Sequence, residues 1–285
     1  MKAKFLPFAL ALFLAPALLA QDYEIRLTRA LEDGDELKLS VAAKMAIVTS
    51  QTVGDAAPKE QKQDMDVQFD GMEKVIAVDA HGRETKATLT VDKFTVTAAG
   101  STVDIAPKGT VISGAITDGK AGFQIDGKDV EPQVAQALAM VIQLSNGGPT
   151  DDEIFGTKDK KKKGDSWDIN ADVAKKSFAD ASAGMEMPDL SGKTTINDDA
   201  GDALKISAAI TGKVKPPLPP IVTLDDSSLT ATFTGTFPKD VTKYSPEESQ
   251  VLAISFSAHA DTPNGKVVVK TTMNQSMTRT ATIVK

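Results

Sequence analysis

Residues 37–47, which read LKLSVAAKMAI, decide the fold of this chain. Apolar side chains occupy every odd position from Leu37 to Ile47, and Lys38, Ser40 and Lys44 occupy three of the even positions. Successive side chains of a β-strand point to opposite faces of a sheet, so this alternation places one face on a core and the other in water. The stretch predicts a strand of an antiparallel sheet that is solvated on one face.

The same period of two recurs along the chain and predicts a mainly β protein. Alternating segments are found at 23–27, 65–69, 87–91, 204–210, 229–237, 252–258 and 267–283. Shorter strands are expected at 103–105, 111–117 and 123–125. Residues 118–119, Asp-Gly, predict a hairpin turn. The apolar parity slips by one residue between Val91 and Phe94, which predicts a β-bulge near residues 92–93.

Residues 129–145 break the strand pattern and predict one amphipathic helix. Apolar residues recur there at spacings of three or four, from Val130 to Ile142, which is the period of a helix face. The sequence NGGP at 146–149 ends the helix, because glycine and proline do not continue it. A second, shorter helix is expected at 171–181.

The predicted fold is a curved antiparallel sheet or an open barrel that packs on the helix at 129–145. A β-sandwich of two sheets is the alternative. Residues 34–40 (GDELKLS) resemble residues 201–207 (GDALKIS), so two duplicated β lobes also remain open. The predicted boundaries are an N-terminal lobe at 21–148 that ends in the helix, a charged loop at 149–164 and a C-terminal lobe at 165–285.

Residues 1–20 read as a cleavable signal peptide. Lys2 and Lys4 lead into an uncharged run of 16 residues, from Phe5 to Ala20. A helix of that length spans about 24 Å, which is less than the roughly 30 Å hydrocarbon core of a bilayer. Small residues close the run, so we expect cleavage between Ala20 and Gln21 and export to the periplasm or the medium. An uncleaved N-terminal anchor is the alternative.

Composition excludes several kinds of site and partner. Without cysteine the chain has no disulfide, no thiolate nucleophile and no lipid-modified cysteine. Loss of Lys2 and Lys4 with the signal leaves 30 basic and 39 acidic residues, a net charge of −9, whereas surfaces that bind nucleic acid are basic. No later segment is long and apolar enough to span a membrane as a helix. We expect a soluble exported chain without a nucleic-acid partner, a lipid anchor or a transmembrane span.

The sequence offers no recognisable catalytic or metal-binding motif. Its two imidazoles, His81 and His259, are expected on the surface, and no spacing of a zinc site or an activated serine occurs. Acid pairs such as Asp151-Asp152 lack the alternating spacing of a calcium loop. We expect a non-catalytic protein with no cofactor and no bound metal.

Methionines and one face of the helix form the candidate ligand site. Methionine side chains are flexible and adapt to irregular apolar surfaces. If the sheet leaves an apolar cavity beneath the helix, we expect these residues to line it, and ordinary filling of core gaps is the alternative. The candidates are Leu138, Met140, Val141, Met185, Met187, Met273 and Met277.

The element Gly164-Asp165-Ser166-Trp167, together with the signal peptide, the alternating strands and the central helix, resembles a family of uncharacterised exported bacterial proteins with two strand-rich halves. The resemblance rests on residues 155–170 and implies no activity. The expected architecture is also similar to that of the periplasmic lipoprotein carriers, in which a curved antiparallel sheet wraps a helix around an apolar cavity. Because fold does not imply function, that similarity is one of architecture alone.

Three classes of function remain open on the sequence alone. The first is a carrier or binder of an apolar ligand such as a lipid, the second is a structural or protein-interaction module of the cell envelope, and the third is an enzyme. A connected apolar cavity under the helix would favour the carrier. A filled core with a flat exposed patch would favour the interaction module, and buried carboxylates in a cleft would favour the enzyme.

Overall fold

The computed structural model describes residues 22–145, 147–181, 185–244, 247–263 and 265–284. The predicted signal peptide and its cleavage site between Ala20 and Gln21 lie outside these ranges. None of the helices within these ranges has the length and apolar character that a membrane crossing requires.

The described chain is dominated by one antiparallel sheet of 13 strands. The strands are β1 (Glu36–Val53), β2 (Lys59–Val78), β3 (Glu84–Ala98), β4 (Ser101–Asp104), β5 (Val111–Thr117), β6 (Lys120–Ile125), β7 (Lys128–Asp129), β8 (Ser166–Asp168), β9 (Leu190–Ala200), β10 (Ala203–Gly212), β11 (Thr223–Pro238), β12 (Glu247–Thr262) and β13 (Gly265–Ile283). The helices of the described ranges are α1 (Pro132–Val141), α2 (Asp151–Phe155) and α3 (Ala171–Ala181).

Hydrogen bonds order the sheet as β7-β6-β5-β3-β2-β1-β13-β12-β11-β10-β9-β8, with β4 paired to β3. Strands β1 and β13 pair from Leu37 opposite Ile283 to Val53 opposite Val267, so the first and last strands meet in the middle of the sheet. The end strands β7 and β8 are short and lie at opposite edges, which leaves the sheet open. The prediction of a mainly β protein with an open antiparallel sheet is confirmed. The strands form one hydrogen-bonded sheet rather than the two sheets of the alternative.

Side-chain alternation gives the sheet an inner face that packs on the helices and an outer face in solvent. On β1, Leu37, Leu39, Val41 and Ala43 are buried, and the residues between them are exposed. The buried apolar side chains form three clusters. The first lies between α1 and the strands β1, β2, β3 and β5, the second joins α2 and α3 to strands β9–β12, and the third includes the extended N-terminal segment. A single sheet therefore buries its inner face under helices in both halves of the molecule.

The predicted β-bulge is confirmed at Asp92. Asp70 pairs with Lys93 and the next residue, Gly71, pairs with Val91, so Asp92 is the extra residue of β3. The insertion keeps the apolar side chains before and after it on the inner face, as a bulge does.

The helices agree with the sequence in part. The second helix is confirmed at the expected residues as α3. Helix α1 spans 132–141 rather than the expected 129–145, because residue 129 belongs to β7 and the backbone of Ile142 is already extended. Its N-cap is Glu131, which makes no side-chain capping hydrogen bond.

The segment expected to be a charged loop, 149–164, contains helix α2. The Glu153 backbone N–H donates to Thr150 Oγ1 at 3.3 Å, and the Thr150 backbone N–H donates to Glu153 Oε2 at 2.7 Å. This capping box fixes the start of the helix. Ile154 then anchors the segment in the second cluster.

Residues 23–27, expected to be a strand, are extended but lie outside the ladder of the sheet. An isolated bridge joins their start to Lys161, and their apolar side chains are buried in the third cluster. Their alternation therefore arises because the segment lies on other side chains, with every second residue buried and the residues between them facing solvent. Further along, Leu31 enters the first cluster and its N–H donates to Gly82 O at 2.8 Å.

Candidate functional site

The inner face of the central strands carries half-buried apolar side chains between two helical covers. Helix α1 contacts β2 and β6, and α3 contacts β9, and the strands between β2 and β9 in the sheet are β1, β13, β12, β11 and β10. The half-buried apolar residues on the inner face of β1, β12 and β13, here termed the central strip, are Met45, Ile47, Leu252, Phe256, Val267, Val269 and Met273. Met45 packs against the first cluster, and Leu252 and Met273 pack against the second. The strip therefore joins the two cores.

Strand register places the residues of the central strip side by side. Ile47 lies opposite Met273, which in turn lies opposite Ile254. Two rows further along β13, Val269 lies opposite Ala258. Directly opposed side chains on one face of an antiparallel pair have Cβ atoms about 4.5–5.5 Å apart. The row Ile47–Met273–Ile254 is therefore apolar across all three strands, whereas the adjacent rows on the same face also carry Thr49, Thr271 and Gln275.

A pocket of about 570 Å³, here termed the helix pocket, opens beside α1. Its apolar lining residues are Met45, Met65, Val96, Val103, Ile105 and Val134. Val103 is 56% exposed, and Gln136 Nε2 of α1 donates to Met45 Sδ at 3.8 Å. Because Met45 belongs to both surfaces, the helix pocket adjoins the central strip.

A second pocket of about 300 Å³, here termed the arginine pocket, lies where the N-terminal segment meets β3, β12 and β13. Its charged lining residues are Arg29, Arg83, Glu84, Asp151, Glu248 and Arg279, and Tyr244 adds a phenol. In the strand register, Arg279 of β13 lies opposite Glu248 of β12. Arg279 also lies on the inner face of β13, as Met273 does. At about 3.4 Å per residue, Met273 lies about 20 Å along β13 from Arg279. The polar pocket therefore lies beyond one end of the apolar strip.

Arg279 is the centre of a buried charge cluster. Its Nη2 donates to Glu73 Oε2 at 3.0 Å, and its Nη1 donates to Tyr244 Oη at 2.5 Å. Burial alone would lower the pKa of Arg279, but Tyr244 and Glu73 outweigh burial and raise it. Burial raises the pKa of Tyr244 to about 12, so the phenol keeps its proton at neutral pH.

Two carboxyl groups, Glu73 and Glu84, share this cluster. Glu73 is fully buried and Glu84 is 4% exposed. Burial, followed by the charge of Glu73, raises the pKa of Glu84 to about 8. Burial also raises the pKa of Glu73, although the charge of Arg279 opposes this. Two like charges in one buried site cannot ionise together without a large cost, so at neutral pH Glu84 carries the proton and Glu73 pairs with Arg279.

The predicted ligand-binding residues fall into two groups. Leu138, Met140, Val141 and Met277 lie in the first cluster, and Met185, Met187 and Met273 lie in or against the second. The side chain of Leu138 is fully buried. Met273 belongs to the central strip. Met277 lies between the strip and the arginine pocket, where Gln143 Nε2 donates to its sulfur at 3.7 Å.

The sequence reasoning missed the buried charged residues. Glu73 falls on the apolar parity of Val67 and Phe69 in β2, and Arg279 falls on that of Met277 in β13. A charge on the buried face of a strand is costly unless it is paired. Charges on the apolar parity of two strands are therefore the sequence signal that points to this cluster.

Neither histidine lines the helix pocket or the arginine pocket. His81 is exposed in a turn, as expected. His259 is half-buried on the outer face, where its Nδ1 lies 2.6 Å from Asp225 Oδ1, so the expectation of an exposed side chain is corrected. Within the described ranges, no group of three or more histidine, aspartate or glutamate side chains is arranged to hold a metal ion.

Comparison with known proteins assigns this chain to no family. No protein-family model and no curated protein matches it. Among solved structures it aligns with lipovitellin, from a study of lipid–protein interactions. The TM-score is 0.34 and the identity is 8% over 86% of this chain. The chain spans 25% of the length of lipovitellin. It also aligns with a loop L8 deletion mutant of OmpT, an outer membrane protein of Vibrio cholerae, with a TM-score of 0.14 and 8% identity over 86% of this chain and 99% of that one. With OccK8 of Pseudomonas aeruginosa the TM-score is 0.13 and the identity 8%, over 90% of this chain and all of that one. Scores this low carry no inference about function.

Proposed function

We propose that this protein is exported and that it binds an apolar or amphipathic ligand, such as a lipid, without catalysing a reaction. The observation that carries the proposal is the central strip, whose half-buried apolar side chains lie on three strands, beside Thr49, Thr271 and Gln275, and join the helix pocket. Beneath α1 the inner face is packed, and Leu138 is fully buried there. The side chains of the central strip differ from those beneath α1 because they remain half-buried between the two helical covers.

An acyl chain laid on the strip removes apolar surface from water on both partners. At roughly 25 cal/mol per Å², covering about 200 Å² contributes about 5 kcal/mol before the cost of ordering the chain. Met45 and Met273 have flexible side chains that adapt to different apolar shapes. These properties support binding of flexible chains rather than of one rigid molecule.

Export is part of the proposal. The charged start, the short apolar run and the small residues before Gln21 support it. Two residues later, Tyr23 is buried and its Oη donates to Asp199 Oδ2 at 2.5 Å. Cleavage before Gln21 would therefore leave the docked N-terminal segment intact.

A fluorescent apolar probe tests the proposal at the strip. We expect N-phenyl-1-naphthylamine to bind the protein with a rise in fluorescence. Met273→Glu places a charge in the strip and should weaken binding at least about tenfold, which is about 1.4 kcal/mol. Thr272→Glu adds the same charge one residue away on the exposed outer face, so it should leave binding unchanged.

Circular dichroism of both variants checks that the fold is retained. No binding by the wild-type protein would refute the proposal. Equal loss of binding in the two glutamate variants would place the probe elsewhere on the molecule and would also count against it.

The buried carboxyl groups favour a second candidate, an enzyme that uses the arginine pocket. Glu84 lines that pocket with a pKa raised to about 8, as a general acid requires. Hydrolysis of chromogenic ester or glycoside substrates that is lost in Glu84→Gln and kept in Glu60→Gln would favour this candidate. Glu60 is a suitable control because it is exposed at the start of β2.

A further inference from the structure

Arg29 is a buried cation that lines the arginine pocket and forms no ion pair with a carboxylate of the described residues. It is 8% exposed, its Nη2 donates to Pro238 O at 2.9 Å, and its Cζ lies 5.9 Å from the centre of the Phe237 ring. Its Nε and Nη1 are buried and have no hydrogen-bond partner among the described residues. Burial lowers the pKa of Arg29, although the charges of Asp152 and Asp240 oppose this. The guanidinium therefore has unused donors.

The other two arginines of the pocket are neutralised by the protein itself. Arg279 is paired with Glu73 at 3.0 Å. Arg83 Nη2 lies 2.8 Å from Asp79 Oδ2, and its Nη1 donates to Pro149 O at 2.9 Å. A buried charge without a partner is costly. Arg29 is thus the cation of this pocket that a ligand's anion would stabilise most.

Asp151 is an acid in the same pocket that lies near other acids. Asp151 lines the pocket and is exposed. Desolvation by the surrounding protein, followed by the negative charges of Glu248 and Asp152, raises the pKa of Asp151 to about 6, although the charge of Arg83 opposes this. Because like charges disfavour the ionised form, a ligand's cation at this position would be stabilised by the surrounding acids.

We propose that the arginine pocket binds a zwitterionic head group, with a phosphate at Arg29 and an ammonium at Asp151, of a lipid whose acyl chain lies on the central strip. A phosphoethanolamine head group has this chemistry. The volume of about 300 Å³ is at the low end of ligand pockets and suits a head group without its chains. The assignment rests on the proposed function, since the strip supplies the surface for the chain.

The geometry of β13 connects the two parts of this site. From Arg279 the inner face continues through Met277 and Gln275 to Met273, about 20 Å away. Gln143 lines the arginine pocket and also contacts the sulfur of Met277. A lipid with a net negative head group would satisfy Arg29 but would meet the charge of Asp151 unpaired, so the pocket selects the zwitterion.

Competition between two lipids tests the head-group assignment. The protein is incubated with vesicles that contain equal amounts of phosphatidylethanolamine and phosphatidylglycerol with identical acyl chains, and native mass spectrometry counts the lipids bound. We expect the wild-type protein to capture phosphatidylethanolamine over phosphatidylglycerol by about tenfold or more, the effect of one charge-assisted contact.

Two substitutions test the contacts of the phosphate and of the ammonium separately. Arg29→Met should reduce capture of phosphatidylethanolamine about tenfold. Its matched control is Arg26→Met, in the same segment, because Arg26 is exposed and pairs with Glu24 outside the pocket. Asp151→Asn should remove the preference between the two lipids, since it deletes the acid that contacts the ammonium.

The outcomes distinguish this assignment from the proposed function. If N-phenyl-1-naphthylamine binds at the strip while the two lipids are captured equally, or phosphatidylglycerol is preferred, the head-group assignment is overturned and the proposed function stands. If neither the probe nor any lipid binds, both are overturned. Binding of free phosphoethanolamine in a titration calorimeter, without capture of lipid, would overturn the lipid as the source of the head group.

Discussion

Glu84 should make the protein less stable as the pH rises from about 4.5 to about 8. Burial and the charge of Glu73 raise the pKa of Glu84 to about 8 in the folded protein, from an ordinary value of 4.5. Between these two values the folded state holds a proton that the unfolded state has lost, so the free energy of unfolding falls with rising pH. A difference of about 3.5 between the pKa values, at 1.36 kcal/mol for each pKa unit, gives about 5 kcal/mol across the window.

The substitution Glu84→Gln isolates this effect, because glutamine resembles the protonated carboxyl group at every pH. Urea unfolding at pH 5, 6, 7 and 8 gives the free energy of unfolding of each protein. The wild-type protein should lose stability relative to Glu84→Gln as the pH rises, by about 3.5 kcal/mol between pH 5 and pH 8. Glu60→Gln, on an exposed position of β2, should retain the wild-type pH dependence. A Glu84→Gln protein with the wild-type pH dependence would show that another group carries the proton.

Three further predictions concern packing and processing. Leu138→Ala should lower the free energy of unfolding by about 2–5 kcal/mol, measured by urea titration, because the side chain is fully buried. The control Gln133→Ala, at an exposed position of the same helix, should change it by about 0.5 kcal/mol or less. A small loss of stability in Leu138→Ala would instead indicate a cavity beneath α1. Gly71→Ala should cost about 1–3 kcal/mol in thermal unfolding, because its Cβ would lie 2.3 Å from the backbone oxygen of Thr90, and an unchanged melting temperature would contradict this. N-terminal sequencing of the mature protein should begin within two residues of Gln21, and recovery of the uncleaved chain on a membrane would oppose export.

The strands could be predicted from the sequence because alternation and turn chemistry are local. Strand β5 lies at the expected residues 111–117, and the turn that follows uses Asp118 and Gly119, both with positive φ, of 52° and 74°. The bulge at Asp92 could also be predicted, because a one-residue shift in the apolar alternation within one strand requires an extra residue. Residues 23–27 were misjudged because a segment lying flat on a core shows the same alternation as a strand.

The strand order and the arginine pocket could not be predicted, because both depend on contacts between distant segments. The pairing of β1 with β13 joins Leu37 to Ile283, and no local signal marks such partners. The pocket likewise collects Arg29, Asp151 and Arg279 from three parts of the chain. Met273 could be placed on the inner face from its parity alone, but its position between the helical covers became evident only with the full sheet.

The proposed function places an apolar chain on the inner face of β1, β12 and β13. Photo-crosslinking with a phosphatidylethanolamine that carries a diazirine in its acyl chain, followed by peptide mapping, tests this most directly. We expect crosslinks on inner-face residues such as Ile47, Phe256 and Met273. Crosslinks confined to outer-face positions such as Val251 and Thr272, or spread evenly over both faces of these strands, would contradict it.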